Sequence, residues 1–244
     1  MESFIDVHSH ILPGIDDGSQ DFDTSIQMLK QASTDGIAQI ILTPHNKPAG
    51  HNADSYIIDS LLAELKRRME DEGIAIKLYR GNELYYRNGL AEEIMEGKAF
   101  TLAGSDYVLT EFSPMEDYDY IRYGAYSLMA EGYRPILAHV ERYSKINGKA
   151  DRVEDLIEMG CYVQVNSGSV MGAFGCRTKF FVRRLLKERL VHFMATDAHD
   201  TKERGSHIRE CASFIAKKYG EDYARELLYK NPMHVIRNEY IGRC

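Results

Sequence analysis

The chain has 244 residues, 44% hydrophobic and 27% charged, which is the composition of an ordinary soluble globular protein. No apolar run approaches the roughly 18 residues of a membrane-spanning helix, and the acidic start is unlike a secretion signal, so we expect no direct membrane insertion. The net charge of −7 argues against a nucleic-acid-binding surface, because phosphate contacts need a basic face. We expect a cytoplasmic protein that forms a single domain over residues 1–244.

Short apolar runs alternate along the chain with amphipathic segments, which is the pattern of parallel β/α units. The predicted strands lie near residues 3–8, 39–44, 76–81, 106–112, 135–140, 161–166 and 191–197. The predicted helices lie at about 23–35, 54–72, 89–97, 119–131, 151–159, 174–188 and 206–219, and a final helical segment over 221–237 is predicted to break at Asn231-Pro232. Seven such units predict a closed or nearly closed α/β barrel. An open doubly wound sheet is the alternative, but no G-x-G-x-x-G follows the first strand.

The cysteines do not support a thiol-based site. Cys161, Cys176, Cys211 and Cys244 show no C-x-x-C pairing and no zinc-ribbon spacing, so we interpret them as reduced thiols. A cysteine phosphatase loop needs an arginine six residues after its nucleophile, and none of the four has one. This excludes the cysteine-phosphatase chemistry.

Each predicted strand ends on a polar residue, and the carboxyl ends of barrel strands are where function is found. A lone histidine at such a position is more often a hydrogen-bonded structural residue, but a barrel gathers its strand ends around one pocket. Imidazoles and carboxylates gathered there would repel or lie unpaired unless cations bound them. The sequence therefore predicts a metal centre. The residues at the strand ends are His8, His10, His45, Glu83, Glu111, His139, Asn166, Asp197 and His199.

The stretch FIDVHSHILPGIDDGS, near the start of the chain, adds one more candidate ligand. His8 and His10 are two residues apart on a strand, so both side chains point to the same side. The turn that follows, together with Gly18, allows an acidic pair to return over the pocket. We favour Asp17 as the ligand and interpret Asp16 as a loop or cap residue.

Mixed imidazole and carboxylate ligation is typical of zinc, manganese or iron sites, and it lacks the thiolates of a structural zinc site. Without the amide Asn166 and with Asp17, the candidate ligands number nine, which is more than one ion uses. With a bridging carboxylate they fit two or three ions close together. Such an arrangement cleaves phosphoesters by activating a bridging hydroxide.

The motifs HxH, ILPGIDDGS, TPH, GNE, EF, AHVERY and ATDAH resemble the PHP (polymerase and histidinol phosphatase) superfamily. More narrowly, they resemble its bacterial protein-tyrosine phosphatases from capsule and exopolysaccharide gene clusters. The similarity covers essentially the whole chain. It implies a distorted (β/α)7 TIM-like barrel of the PHP type with a centre of two or three divalent ions, manganese first, with iron or zinc as alternatives.

The resemblance also implies a role for each residue. His8, His10, Glu83 and Asp197 would hold the first metal, Glu83 would bridge to a second held by Glu111 and His139, and Asp17, His45 and His199 would hold the third. Arg142 in AHVERY and Arg204 in DTKERGS match arginines aimed at substrate phosphate. The implied partner is a phosphotyrosine-containing protein. The resemblance points to a cognate bacterial tyrosine kinase that regulates polysaccharide export and carries the phosphotyrosines on its tyrosine-rich tail.

The expected mechanism is in-line attack on phosphorus by a metal-bridging hydroxide without a covalent enzyme intermediate. Ions and arginines would stabilise the equatorial oxygens. No general acid is identified: His207 is a candidate, and a helix-surface histidine is the alternative interpretation.

Three alternatives stay open at this point. Arg142 could form a structural ion pair with Glu141 or another nearby carboxylate. The same metal site could serve a small-molecule phosphomonoesterase of histidinol-phosphatase type. The barrel could also be a metal-stabilised binding protein without catalytic activity.

Overall fold

The computed structural model describes residues 3–48 and 52–242, so Cys244 lies outside the described residues. The predicted alternation of strands and helices is confirmed. In the described part of the chain the strands are β1 (Phe4–Asp6), β2 (Ile37–Leu42), β3 (His45–Asn46), β4 (Lys77–Arg80), β5 (Glu83–Tyr85), β6 (Tyr107–Glu111), β7 (Arg134–Leu137), β8 (Tyr162–Asn166) and β9 (Phe193–Ala195).

Helices follow the strands and cover the outside of the sheet. They are α1 (Phe22–Thr34), α2 (Ser55–Asp71), α3 (Leu90–Met95), α4 (Tyr118–Ala130), α5 (Ala150–Met159), α6 (Ser167–Met171), α7 (Gly175–Lys187), α8 (Ile208–Tyr219), α9 (Glu221–Arg225) and α10 (Asn231–Arg237). The predicted break at Asn231-Pro232 is wrong, because a π-helical turn over Glu226–Lys230 joins α9 to α10. Pro232 lies in the first turn of α10, where its missing N–H is not needed.

All the paired strands run parallel, in the orders β1-β2-β4 and β3-β5-β6-β7-β8-β9. Two short strands were not predicted: β3 follows the predicted strand 39–44 and β5 follows the predicted strand 76–81, each after a short break from β2 and β4. Pro44 falls in the first break and has no N–H to donate to a neighbouring strand. In the second break, a Cβ on Gly81 would lie 3.0 Å from the side chains of Ile41 and Leu102.

The sheet curls until its first and last strands meet. A bridge pairs Ser9 with Ala198, and the His10 N–H donates to the Ala198 carbonyl at 2.9 Å. The Asp197 N–H donates to the His8 carbonyl at 2.9 Å. The prediction of a distorted seven-unit α/β barrel is therefore confirmed, with two short additional strands.

Two hydrophobic clusters stabilise the barrel. One fills the inside of the curled sheet, where Leu109 and Phe193 pack with Val235 and Ile241 from the end of the chain. The other lies between the sheet and the surrounding helices. Tyr107 holds the chain end in place, because its hydroxyl donates to the Glu239 carbonyl at 2.8 Å. One end of the barrel is thereby closed by apolar side chains, and the site lies at the other.

The cysteine and membrane predictions can be checked on the described residues. Cys161 and Cys211 are buried and Cys176 is exposed, and these three are free thiols. Burial raises the pKa of the Cys161 thiol to about 12, so it is a poor nucleophile. Among the helices of residues 3–48 and 52–242, none is both long enough and apolar enough to cross a membrane.

Candidate metal centre

The nine predicted ligands all lie in one pocket at the carboxyl ends of the strands. They form four overlapping groups, within each of which one ligand atom per residue lies less than 4.8 Å from the others. The overlap joins the groups into a single cluster. The groups are His10, Asp17, His45 and His199; His8, His10 and Asp197; His8, Glu83 and His139; and His45, Glu83 and Glu111.

The two-residue period of the strands explains why these side chains meet. Along β6, Tyr107 and Leu109 pack inside the curled sheet, and Glu111 is the next residue on the same side. On the last strand Ala195 packs inside the curled sheet, and Asp197 follows two residues later. On these two strands the apolar filling of the barrel therefore gives way to the polar cluster within two residues.

Glu83 is the centre of the cluster. Its Oε1 lies 2.8 Å from His139 Nε2 and 3.3 Å from His8 Nε2. Its Oε2 lies 2.8 Å from His45 Nδ1 and 3.4 Å from His10 Nε2. One buried carboxylate therefore reaches four imidazoles, as a carboxylate bridging two cations would.

Asp197 connects the cluster to its surroundings. Its Oδ1 lies 3.5 Å from His8 Nε2 and 3.4 Å from His10 Nε2. Its Oδ2 accepts a hydrogen bond of 2.8 Å from the Asn166 amide. The backbone φ is +51° at Asp197 and +33° at His139, a conformation that L residues rarely adopt and that is concentrated at functional sites.

The adjacent carboxylates Asp16 and Asp17 have different partners. Asp17 Oδ1 lies 3.1 Å from His45 Nε2 and 3.6 Å from His199 Nε2, so it faces the cluster as expected. Asp16 Oδ2 lies 2.8 Å from His10 Nδ1 and accepts the His45 N–H at 3.1 Å. The interpretation of Asp16 as a loop residue therefore missed its role in orienting a ligand.

Two buried amides, Gln164 and Asn166 on β8, support the cluster from behind. Gln164 Oε1 lies 3.2 Å from His8 Nδ1 and accepts the His139 N–H at 2.8 Å. Its amide donates to Asn166 Oδ1 at 2.8 Å. Because the Nδ1 atom of His8 is occupied, its Nε2 faces the cluster. Sequence reasoning missed Gln164, although its alternation with Asn166 in the apolar strand CYVQVN was a usable signal.

The buried polar atoms fit a metal cluster. Several of them have no hydrogen-bond partner among the described residues, which is unfavourable unless another ligand satisfies them. Divalent cations would satisfy them, and a nitrogen and oxygen donor set without thiolate suits manganese, iron or zinc. Those in the cluster are Glu111 Oε2 and His199 Nε2, together with His45 Nδ1 and Glu83 Oε2, which lie 2.8 Å apart without the alignment of a hydrogen bond.

The electrostatics of the pocket favour bound positive charge. Burial opposes protonation of His45, but the Asp17 and Glu83 carboxylates outweigh it and raise its pKa to about 9. Burial would raise the pKa of Glu83, but the surrounding histidines hold it well below the usual range. Burial and the Glu83 charge together raise the pKa of Glu111. Divalent cations would take the place of the protons that these groups otherwise share.

Both predicted arginines lie at the mouth of the pocket. Arg142 Nη1 lies 3.3 Å from Asp197 Oδ2, and Arg204 Nη1 lies 3.3 Å from Asp17 Oδ2. The Glu141 carboxylate is not the partner of Arg142, because it accepts hydrogen bonds from the Ser169 hydroxyl and the Asn166 N–H. The carboxylate that pairs with Arg142 is Asp197, inside the pocket.

The aromatic residues near the strand ends divide into packing residues and one pocket residue. Tyr86 and Phe112 are buried and pack against each other, with ring centroids 5.3 Å apart. Phe174, which sequence reasoning did not single out, lines the cavity beside Asp197 and Arg204. It is the first residue of the predicted helix 174–188, where an aromatic side chain gives no sign of a pocket position.

Comparison with known proteins identifies the family. Residues 4–237 match the family model described as "Capsular polysaccharide synthesis, CpsB/CapC". The chain belongs to the CpsB/CapC family. This confirms the resemblance found in the sequence motifs.

Named relatives cover the CpsB/CapC chain almost completely. Tyrosine-protein phosphatase YwqE of Bacillus subtilis is 32% identical over 98% of the chain and 94% of the relative. Tyrosine-protein phosphatase CpsB of Streptococcus agalactiae serotype III is 29% identical over 97% of the chain and 100% of the relative. One crystal structure, from work on YwqE of B. subtilis and CpsB of Streptococcus pneumoniae as metal-dependent tyrosine phosphatases, superposes with a TM-score of 0.93. It shares 32% identity and covers 98% of this chain and 97% of its own.

Proposed function

We propose that this CpsB/CapC chain is a metal-dependent tyrosine-protein phosphatase of capsule or exopolysaccharide synthesis. The observation that carries the proposal is the Glu83 carboxylate, which lies within 3.4 Å of four imidazole nitrogens. Two arginines stand over the same cluster. The relatives named tyrosine-protein phosphatases, which align along nearly the whole chain, support the choice of substrate.

The proposed metal sites use all nine ligands. His8, His10, Glu83 and Asp197 would hold the first ion; Glu83, Glu111 and His139 the second; and Asp17, His45 and His199 the third. His10 also lies close enough to Asp17, His45 and His199 that it could contribute to the third site. We propose manganese, with iron or zinc as alternatives. When bound, the ions supply a water of lowered pKa and neutralise negative charge.

The residues of the chain would bind and orient the phosphate. Arg142 reaches Asp197 through Nη1, and Arg204 reaches Asp17 through Nη1 and Asp197 through Nη2. Each guanidinium has five N–H donors, so both arginines keep N–H groups for phosphate oxygens. The burial of Glu83 and His139 keeps bulk water from the centre and strengthens these interactions.

The tyrosine leaving group needs little acid catalysis from the protein. A phenolate leaving group has a pKa near 10, so it needs less help from an acid than an alkyl alcohol does. If a proton is donated, the candidate is the His207 imidazole, which lines the cavity with Arg204 and Asp197. His207 is otherwise a surface residue at the start of α8.

We further propose that the substrate is the tyrosine-rich tail of a cognate tyrosine kinase and that the enzyme acts on it in the cytoplasm. We also propose that residues 1–244 form one domain. The family membership and the acidic net charge support a phosphoprotein over a nucleic acid.

A substrate panel tests the function. It comprises p-nitrophenyl phosphate, a phosphotyrosine peptide, histidinol phosphate and single-stranded DNA, each with manganese and with chelator. We expect manganese-dependent hydrolysis of the phosphotyrosine peptide, and loss of it in His139→Ala and Asp197→Ala. Unchanged turnover after thorough metal stripping would contradict the mechanism. A strong preference for histidinol phosphate would select the small-molecule enzyme, and no hydrolysis of any substrate would select the binding protein.

A further inference from the structure

Phe174 is an exposed aromatic residue placed beside the catalytic pocket. Its side chain is 46% exposed, and it belongs to neither hydrophobic cluster of the barrel. A single exposed phenylalanine is ordinary on a protein surface. Its position relative to the arginines is what indicates a role.

The Phe174 ring lies against the residue that would hold the phosphate. The guanidinium carbon of Arg142 is 5.8 Å from the ring centroid, within the range of a cation–π contact. The same guanidinium reaches Asp197 Oδ2 at 3.3 Å. Phe174 also lines the small cavity that Asp197, Arg204 and His207 share. A ligand whose phosphate contacts both arginines would therefore have its next group beside this ring.

The backbone holds Phe174 in place. It lies between α6 and α7, where Gly172 has a φ of +108° and Gly175 a φ of +84°. These values suit glycine, so the chain makes a tight turn here. The residues of α6 before this turn, from Ser167 to Val170, are buried. The ring is therefore presented from a fixed turn and does not depend on a long loop.

We propose that Phe174 forms the wall of an aryl subsite, which packs against the phenyl ring of a substrate whose phosphate is held by Arg142 and Arg204. This inference rests on the proposed function, and it assigns the preference for aryl over alkyl phosphomonoesters to one residue. Aromatic rings 4.5–7 Å apart attract beyond their buried area, and an alkyl chain gains less from the same wall.

The test compares Phe174→Ala with Phe180→Ala in the manganese-loaded enzyme. Phe180 is 69% exposed on α7 and serves as the matched control. The substrates are a phosphotyrosine peptide and a phosphoserine peptide of the same sequence, and the inhibitor is inorganic phosphate. For Phe174→Ala we expect a roughly tenfold higher KM for the phosphotyrosine peptide, with the inhibition constant of inorganic phosphate unchanged. Phe174→Trp should restore the KM, and Phe180→Ala should behave as wild type.

Two results would refute the proposed aryl subsite without refuting the proposed phosphatase function. One is an unchanged KM for the phosphotyrosine peptide in Phe174→Ala when the wild type hydrolyses it. The other is an equal loss for the phosphotyrosine peptide, the phosphoserine peptide and inorganic phosphate, which would make Phe174 a support for Arg142 alone. Failure of the wild type to hydrolyse any aryl phosphate would refute both the subsite and the proposed function.

Discussion

Asp16 Oδ2 lies 2.8 Å from His10 Nδ1, and the same oxygen accepts the His45 N–H at 3.1 Å. Its other oxygen accepts the Gly18 N–H at 2.9 Å. One carboxylate thus orients one predicted ligand and fixes the backbone of a second. With Nδ1 of His10 engaged, Nε2 faces Glu83 and Asp197. Such carboxylate–histidine pairs raise the basicity of the coordinating nitrogen.

We expect Asp16→Ala to weaken manganese binding about 10- to 100-fold while the fold is kept, because His10 loses its orienting partner. Isothermal titration of the metal-free protein measures the affinity. Asp23→Ala, which removes an exposed carboxylate from α1, is the control and should bind manganese as wild type. Wild-type affinity in Asp16→Ala would show that His10 is held by other contacts.

Gly18→Ala is expected to abolish activity and lower thermal stability. A Cβ at this position would lie 2.1 Å from the His10 carbonyl oxygen and 2.5 Å from His10 Cβ, so the turn that carries Asp16 and Asp17 must shift. Gly242→Ala meets nothing within 4 Å and serves as the control. Activity and Tm are measured on both, and an active Gly18→Ala would mean that the turn adapts without moving its carboxylates.

Arg142→Ala should lower kcat/KM for a phosphotyrosine peptide about 100-fold, because the transition state loses a charged donor. The metal content should stay unchanged, since the arginine is not among the nine clustered ligands. Kinetics are combined with metal analysis, and Arg177→Ala, an exposed change on α7, is the matched control. Loss of metal together with activity would assign Arg142 a structural role through Asp197.

Manganese affinity is expected to rise with pH between pH 6.5 and 8.5, by up to roughly tenfold per unit. The pKa of His45 is raised to about 9 without metal, so this imidazole is protonated at neutral pH and must lose its proton to coordinate. Titrations at several pH values measure the slope. His45→Ala should give a smaller slope, and an equal slope in both proteins would exclude His45 as the competing group.

His192 is expected to make the fold acid-sensitive, independently of the metal site. Burial lowers its pKa to about 4, and its Nδ1 accepts the Val163 N–H at 3.2 Å. Between about pH 4 and 6.5 the folded chain therefore binds fewer protons than the unfolded chain, so stability falls as the pH is lowered through this window.

Between pH 7.5 and pH 5 the loss of unfolding free energy from His192 should be about 2 kcal/mol. Urea unfolding in chelator at both pH values measures it. His192→Asn keeps an acceptor for the Val163 N–H without a titrating ring, so it should lose less stability than wild type over the same interval. Equal losses would place the acid sensitivity elsewhere.

The expectation that strand ends meet in one pocket predicted the cluster, and ligands such as Glu111 and Asp197 directly continue apolar rows inside the barrel. This expectation could not assign Asp16, since adjacent carboxylates in a turn differ only in how the backbone closes, here through the approach of Gly18 to His10. It also missed Gln164, which lies one step inside the strand end. The short strand β3 was not predicted, because Pro44 ended the predicted strand and the two polar residues His45 and Asn46 beyond it are too few to show a strand pattern.

The bridge between Ser9 and Ala198 has a consequence for synthesis of the protein. The Thr196 hydroxyl donates to Asp6, a contact that spans 190 residues, and it fixes the first and last strands to each other. Because parts of the cluster come from both ends of this span, a nascent chain on the ribosome has no complete centre until His199 has left the exit tunnel and the last strand has docked. Truncation before that point yields fragments that lack Asp197 and His199 and therefore cannot assemble the full set of ligands.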